Sequence, residues 1–205
     1  MLVAAADLAV AEEVDALLAS VEERFGRLDT LVASAAASRF APVLSLEPRH
    51  VERTFATVVT SFVQLAKGAA RLMQEDGRIV TISGLDARFA QSGHGLLGAA
   101  KAALEALTRS LAVELGPRGA TVNAVVPGAI ETESLDLYFG DDDRARQAMV
   151  DGTPIGRLGR PDDVAALVRF LCSEEAGFIS GQVIVTDGGA SAEGGRWSLF
   201  RDLWG

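Results

Sequence analysis

Apolar residues recur along this chain with two different spacings, and the alternation between them predicts the architecture. Val51, Phe55, Val58, Phe62, Leu65, Ala69 and Leu72 follow one another at alternating steps of four and three, which is a single helical stripe. Val10, Val14, Leu17, Leu18, Val21 and Phe25 mark an earlier helix, with Asp7 as its cap and Gly26 as its stop. Between the helical stretches lie short runs that are apolar almost throughout: residues 2–5, 30–33, 78–83, 120–125 and 182–186. Such runs alternating with helices predict a parallel sheet covered on both faces. A helix carrying Lys101 and another over residues 162–171 complete the pattern, and the polar residues 131–151 read as a lid-like segment. The expectation is one α/β domain over residues 1–205, doubly wound, with about five strands.

Composition narrows the functional classes. No apolar run approaches the roughly 18–20 residues that span a bilayer. The start, Met1-Leu-Val-Ala-Ala-Ala, lacks a basic region and soon meets Asp7, so it is a poor signal peptide, and a cytoplasmic home is expected. A formal net charge of −9 gives no electrostatic footprint for nucleic acid. The single cysteine, Cys172, excludes an internal disulfide and a cysteine-based zinc cluster, and reads as an inert thiol on an apolar helix face. Asp141-Asp-Asp143 reads as a solvated turn before a helix, and no metal site is expected. Residues 194–205 carry Trp197, Leu199, Phe200, Leu203 and Trp204. This tail either packs on its own core or a sister subunit, or serves as a partner-binding or substrate-covering element.

Several segments, in order, resemble the short-chain dehydrogenase/reductase family. They are Phe25-Gly-Arg-Leu-Asp29-Thr-Leu-Val, the run from Gly98 through Lys101 to Leu115, Val126-Pro-Gly-Ala-Ile-Glu-Thr132, Pro154-Ile-Gly-Arg-Leu-Gly-Arg-Pro161-Asp-Asp-Val-Ala, and Ile179-Ser-Gly-Gln-Val-Ile-Val-Thr-Asp187-Gly-Gly. The resemblance implies a Rossmann-like fold. Within the family, the Lys101 segment and Ala35-Ala-Ala-Ser38 look most like the type III enoyl-acyl-carrier-protein reductases. It also implies that Lys101 binds the nicotinamide ribose, that Pro127, Gly128, Ile130 and Thr132 hold the nicotinamide, and that Asp7 touches the adenine. A homodimer or homotetramer follows from the same likeness, with small residues Ala99, Ala100, Ala102, Ala103 and Ala106 on the Lys101 helix permitting close approach, or a hetero-oligomer with an intact relative.

The departures bear on activity. In the family a tyrosine four or seven residues before the lysine gives or takes the proton; here those positions hold Leu97 and His94. The chain's one tyrosine is Tyr138, inside the lid-like segment, where it could line a substrate site together with Leu97. The substrate-holding serine aligns at Gly84, with Ser83 one place off, and the helix asparagine aligns with Val58. No G-x-G-x-x-G turn between a strand and a helix occurs, so no amide cradle for a pyrophosphate is encoded. The chain opens at what resembles the family's third strand, so the first two strand–helix units are expected to be missing. Their absence would bare one edge of the strand at 30–33, an edge that invites pairing. Three resolutions are open: residues 2–5 pair with residues 30–33, a partner covers the edge, or the natural product is longer; the first is the expectation.

Two functional readings follow. In the first, the chain is a degenerate family member that transfers no hydride by itself. It then acts as a partner subunit, or runs non-redox chemistry on an acyl-thioester or polyketide-like substrate with His94, Lys101 and Ser83 as the reactive set, and binds no cofactor tightly. In the second it is an active NAD(P)H-dependent enoyl- or 3-oxoacyl-(acyl carrier protein) reductase with a variant site. His94 serves as a general acid or base in either, or is only the turn residue before its helix. His50 is expected to be a surface or capping residue.

Overall fold

A computed structural model describes residues 1–133, 135 and 143–192. Four strands, β1 (Thr30–Ala33), β2 (Arg78–Ile82), β3 (Thr121–Pro127) and β4 (Val183–Thr186), form one parallel sheet in the order β1-β2-β3-β4. Helices α1 (Ala11–Phe25), α2 (Pro48–Phe55), α3 (Ser61–Leu72), α4 (Gly95–Leu115), α5 (Asp143–Asp151) and α6 (Pro161–Leu171) connect them. This is the α/β doubly wound, Rossmann-like arrangement expected, with four strands in place of about five.

The central strands are largely apolar because helices cover both faces of the sheet, and the polar Thr81, Thr121 and Asn123 are buried with them. From one face, Ile79 and Val122 meet Val58, Phe62, Ala66 and Ala69 of the α3 layer and Ala100 and Leu104 of α4. From the other, Val80 and Val125 meet Leu171 and Ala176, with Val164 and Leu167 of α6 alongside. Buried Asn123 couples β3 to the approach of β4: its amide donates to Ile179 O at 2.7 Å and its carbonyl accepts from Gln182 N at 3.1 Å. Arg118 satisfies the end of α3 by donating to Ala70 O and Met73 O at 2.6 and 2.7 Å.

Three expectations need correction. Residues 2–5 form no strand and do not pair with β1. Packing explains this. Val14 and Leu18 bury α1 against Leu65 of α3, Asp7 pairs with Arg53 of α2 at 2.8 Å, and Gln64 donates to Ala11 O at 2.8 Å. These contacts tie the start of α1 to the helical layer and hold the preceding residues off the sheet edge. Asp7 is not the helix cap: Val10 is, and the Asp7 carboxylate accepts from Ala9 N one turn earlier, at 3.0 Å. The stripe from Val51 to Leu72 is not one regular helix either. A wider turn at Ala56–Thr60 separates α2 from α3, placing Val58 in the core. Gly26 does end α1, in the left-handed conformation (φ 70°). His50 does cap α2: its Nδ1 accepts from Glu47 N at 3.1 Å.

Candidate functional site

The carboxyl ends of the strands open into a cleft of about 950 Å³, where a doubly wound sheet places its ligands. Its floor is the end of β2 and the first turns of α4, one wall is the segment after β3, and the other is the irregular chain after β1.

Lys101 lies buried on α4 and its Nζ donates to Ile82 O at 2.6 Å. Burial disfavours the ammonium and pulls its pKa from 10.5 down to about 8, against the opposing attraction of Asp86. Ser83 directly follows β2. The Ser83 hydroxyl donates to Glu105 Oε1 at 3.0 Å, and Arg88 Nε stands 3.6 Å from Glu105 Oε2. Glu105 is one helical turn beyond Lys101, and this Ser83–Glu105–Arg88 chain braces the floor beneath the lysine. His94 is the N-cap residue of α4. Its ring tilts against Phe40 at a centroid distance of 4.8 Å, and its Nδ1 stands 3.5 Å from Asp86 Oδ2.

The structure therefore brings together Lys101, His94, Ser83 and Leu97, all lining the cleft with Pro127, Gly128, Ile130 and Thr132. Asp7 is apart from them; the Ala9 amide, with the Arg53 guanidinium next, holds its carboxyl below the usual range. Tyr138 lies outside the described residues, as do the tail residues from Trp197 to Trp204. Cys172 is half-buried just past α6, and burial raises its thiol pKa, as suits an inert side chain. Among the described residues no group of histidine, cysteine and carboxylates could hold a metal ion, and no helix is long and apolar enough to cross a membrane.

Sequence reasoning missed Asp86, Glu105 and Phe40. Glu105 was accessible from spacing, since a residue four beyond Lys101 shares its helical face. Asp86 was not, because it reaches the site from a separate short turn, Leu85–Ala87.

A nicotinamide dinucleotide is the ligand such clefts take, and the residues fit one end of it. Pro127, Gly128, Ile130 and Thr132 line the same cleft as Lys101. Residues 34–37 after β1, on the other wall of the cleft, are irregular, exposed and free of glycine.

Comparison with known proteins defines the class. The family model described as Enoyl-(Acyl carrier protein) reductase matches residues 2–191. The chain belongs to this reductase branch of the short-chain dehydrogenase/reductase family. Among its relatives is the 1-cyclohexenylcarbonyl-CoA reductase of Streptomyces collinus, 39% identical over 187 residues, which are 91% of this chain and 67% of the relative. The 3-oxoacyl-[acyl-carrier-protein] reductase FabG of Vibrio cholerae is 34% identical over 180 residues, covering 87% of this chain and 72% of its own. A short-chain dehydrogenase from Burkholderia cenocepacia, solved in complex with NADP, superposes with a TM-score of 0.83 at 36% identity, covering 91% of this chain and 75% of that one.

Proposed function

We propose that this chain acts as an NAD(P)H-dependent reductase of acyl thioesters, with an enoyl substrate favoured over a 3-oxoacyl one. The observation that carries this reading is a buried cation at the floor of an apolar cleft whose two phenol positions hold His94 and Leu97. A 3-oxo group needs a proton on its carbonyl oxygen as that oxygen becomes an alkoxide, the task of the missing phenol. An enoyl thioester spreads the arriving charge onto the thioester oxygen as an enolate, and its proton is taken later, at Cα. An enolate oxygen is stabilised by a fixed positive charge in a water-poor site, which Lys101 supplies. The kinship to a protein named as a reductase of cyclohexenylcarbonyl-CoA points the same way.

A reduced nicotinamide, when bound, supplies the hydride. Toward it this chain offers Lys101 for the ribose and Pro127, Gly128, Ile130 and Thr132 for the carboxamide side. Ile82, Leu97, Ile130, Leu135 and Met149 give the acyl chain an apolar surface. His94 is the proton-carrying group at the wall. Ser83 holds Glu105 and so serves the floor.

One observation favours a second reading, a partner subunit or a non-redox acyl-thioester enzyme: this sequence holds no G-x-G-x-x-G turn between a strand and a helix. Calorimetric titration with NADPH and NADH, followed by turnover of crotonyl-CoA and acetoacetyl-CoA, separates the two. The expected result is binding of one nicotinamide and its consumption with crotonyl-CoA at least tenfold faster than with acetoacetyl-CoA. Absence of binding at millimolar cofactor overturns the reductase reading in favour of the second. Equal rates on both substrates overturn the enoyl preference. Exposed Ala99, Ala102 and Ala106 on α4 leave a surface on which a second copy can approach closely, and a homodimer is part of this proposal.

A further inference from the structure

Asp86 has no counterpart in the resemblance that located this site, yet the backbone around it is shaped to bring it in. It sits on the short turn Leu85–Ala87, opposite the first turns of α4. His94 and Lys101 are seven residues apart, two helical turns, and so lie on the same side of α4. Gly98 falls between them. A Cβ at Gly98 would stand 2.3 Å from Asp86 O, so only glycine lets this turn approach the helix so closely. The Asp86 side chain is 8% exposed. From there the carboxylate reaches His94 Nδ1 at 3.5 Å and attracts the Lys101 ammonium.

We propose that Asp86 is the positioning residue of this cleft, fixing His94 in the Nδ1–H tautomer so that Nε2 is the atom that exchanges a proton with substrate. The proposal rests on the reductase reading and deepens it. The physical argument concerns lone pairs. An unprotonated Nδ1 would aim its lone pair at a buried carboxylate, and the two would repel; a protonated Nδ1 is attracted. Tautomer choice by the group facing the other ring nitrogen is a general property of histidine. The proton balance then closes without ring rotation. An imidazolium at His94 carries protons on both nitrogens, gives the Nε2 proton to the Cα carbanion of the enolate, and is left as neutral Nδ1–H imidazole facing Asp86. The Cα–H bond forms as the Nε2–H bond breaks, and solvent reprotonates Nε2 for the next cycle. The electron pair that reduces the double bond would be supplied by a reduced nicotinamide when one is bound, that group being oxidised in the exchange.

The chain carries its own control. His50, the only other histidine, uses Nδ1 as an acceptor for the Glu47 amide, which requires the opposite tautomer, Nε2–H, when neutral. Long-range ¹H–¹⁵N correlation spectra of the ligand-free protein at pH 8 read both rings, with His50→Gln and His94→Gln used for assignment. The expected result is an Nδ1–H pattern at His94 and an Nε2–H pattern at His50. In Asp86→Ala, His94 should move to mainly Nε2–H while His50 stays unchanged. Gly98→Ala, which displaces the turn and removes no charge, should shift His94 in the same direction. An Nε2–H pattern at His94 in the unaltered protein overturns the proposal, as does an Asp86→Ala spectrum identical to it at His94. Should Asp86→Ala not fold, the spectrum of the unaltered protein decides alone. The reading needs no cofactor. A correct tautomer without nicotinamide binding sinks the reductase function and spares the dyad, and the reverse result sinks only the dyad.

Discussion

At the α4 end of the cleft, Lys101, Ser83 and Glu105 are all buried and tied by hydrogen bonds to one another's neighbourhood. At the β1 end, residues 34–37 are exposed and irregular, and Val32 of β1 is 44% exposed. The same sheet supports both ends. The first is overdetermined by packing from β2, β3 and α4, so its side chains sit where low-dielectric surroundings amplify charge. The second lies at the sheet margin, where β1 pairs with β2 alone among the described strands. The α4 end thus rests on elements packed from several sides, and the β1 end on the margin of the sheet.

The sharpest way to break the contrast is to remove the charge that defines the dense end. Lys101→Met should lower crotonyl-CoA turnover by about 10²–10³-fold, the usual effect of deleting one transition-state charge contact. Its effect on stability should be opposite. The folded state depresses the Lys101 pKa to about 8, from 10.5. Below about 8 the folded protein carries the full penalty of a buried ammonium. As pH rises from about 8 to 10.5 the unfolded chain binds more protons than the folded one, so stability rises with pH over that window. The fall from 10.5 to about 8 corresponds to about 3 kcal/mol. Loss of the bond to Ile82 O takes back about 1 kcal/mol. Urea denaturation should therefore find Lys101→Met more stable by ~1–2 kcal/mol at pH 7, with the advantage vanishing by pH 10.5. A less stable variant at pH 7 would mean that the lysine is held for structure and not for chemistry.

A paired substitution tests the packing side of the comparison. A Cβ at Gly128 would stand 2.8 Å from the Asp187 backbone, whose carboxylate holds the following turn through Gly189 N and Ser191 N at 2.9 and 2.7 Å. Gly128→Ala should cost roughly 1–3 kcal/mol, as overpacking does. Ala36→Ser, at the thin end, should stay within about 0.5 kcal/mol, as exposed substitutions do. Thermal unfolding of the two proteins side by side provides the measurement. Equal losses would show that the β1 end is as tightly packed as the α4 end.

What could be read from the sequence divides along the same line. The strands were legible as short, largely apolar runs between helical stretches, and Thr30–Ala33 emerged with the expected bounds. Lys101 was legible from its helix, and Pro127–Thr132 from its motif. Residues 2–5 misled because apolar composition fixes a preference for burial and does not name the neighbour; the contacts of α1 with α3 decided where they could go. The wider turn at Ala56–Thr60 left the apolar stripe unbroken and so was invisible to periodicity. Asp86 was hidden for a third reason, that its role comes from a glycine twelve residues away permitting a backbone contact.

The smallest expected effect lies at the start of α6, whose Pro161, Val164, Ala165 and Val168 complete the dense end of the cleft. Asp163 accepts from Arg157 through both oxygens, at 2.7 and 3.0 Å, and from the Arg160 amide at 2.7 Å. The Arg157 contact, with the Arg160 amide next, holds its pKa at about 2, below the ordinary 3.8. A depressed carboxylate contributes stability that is complete above pH 3.8 and is lost as pH falls through about 2. Asp163→Asn keeps an acceptor for the Arg160 amide and removes the charge. Above pH 5 the variant should therefore be less stable by a constant margin. The margin should close between pH 4 and 2, and should shrink in molar salt, because the pair is exposed to solvent. A gap independent of pH and salt would assign the contribution of Asp163 to the neutral cap alone, and would leave the Arg157 pair without energetic weight in docking α6 onto the site.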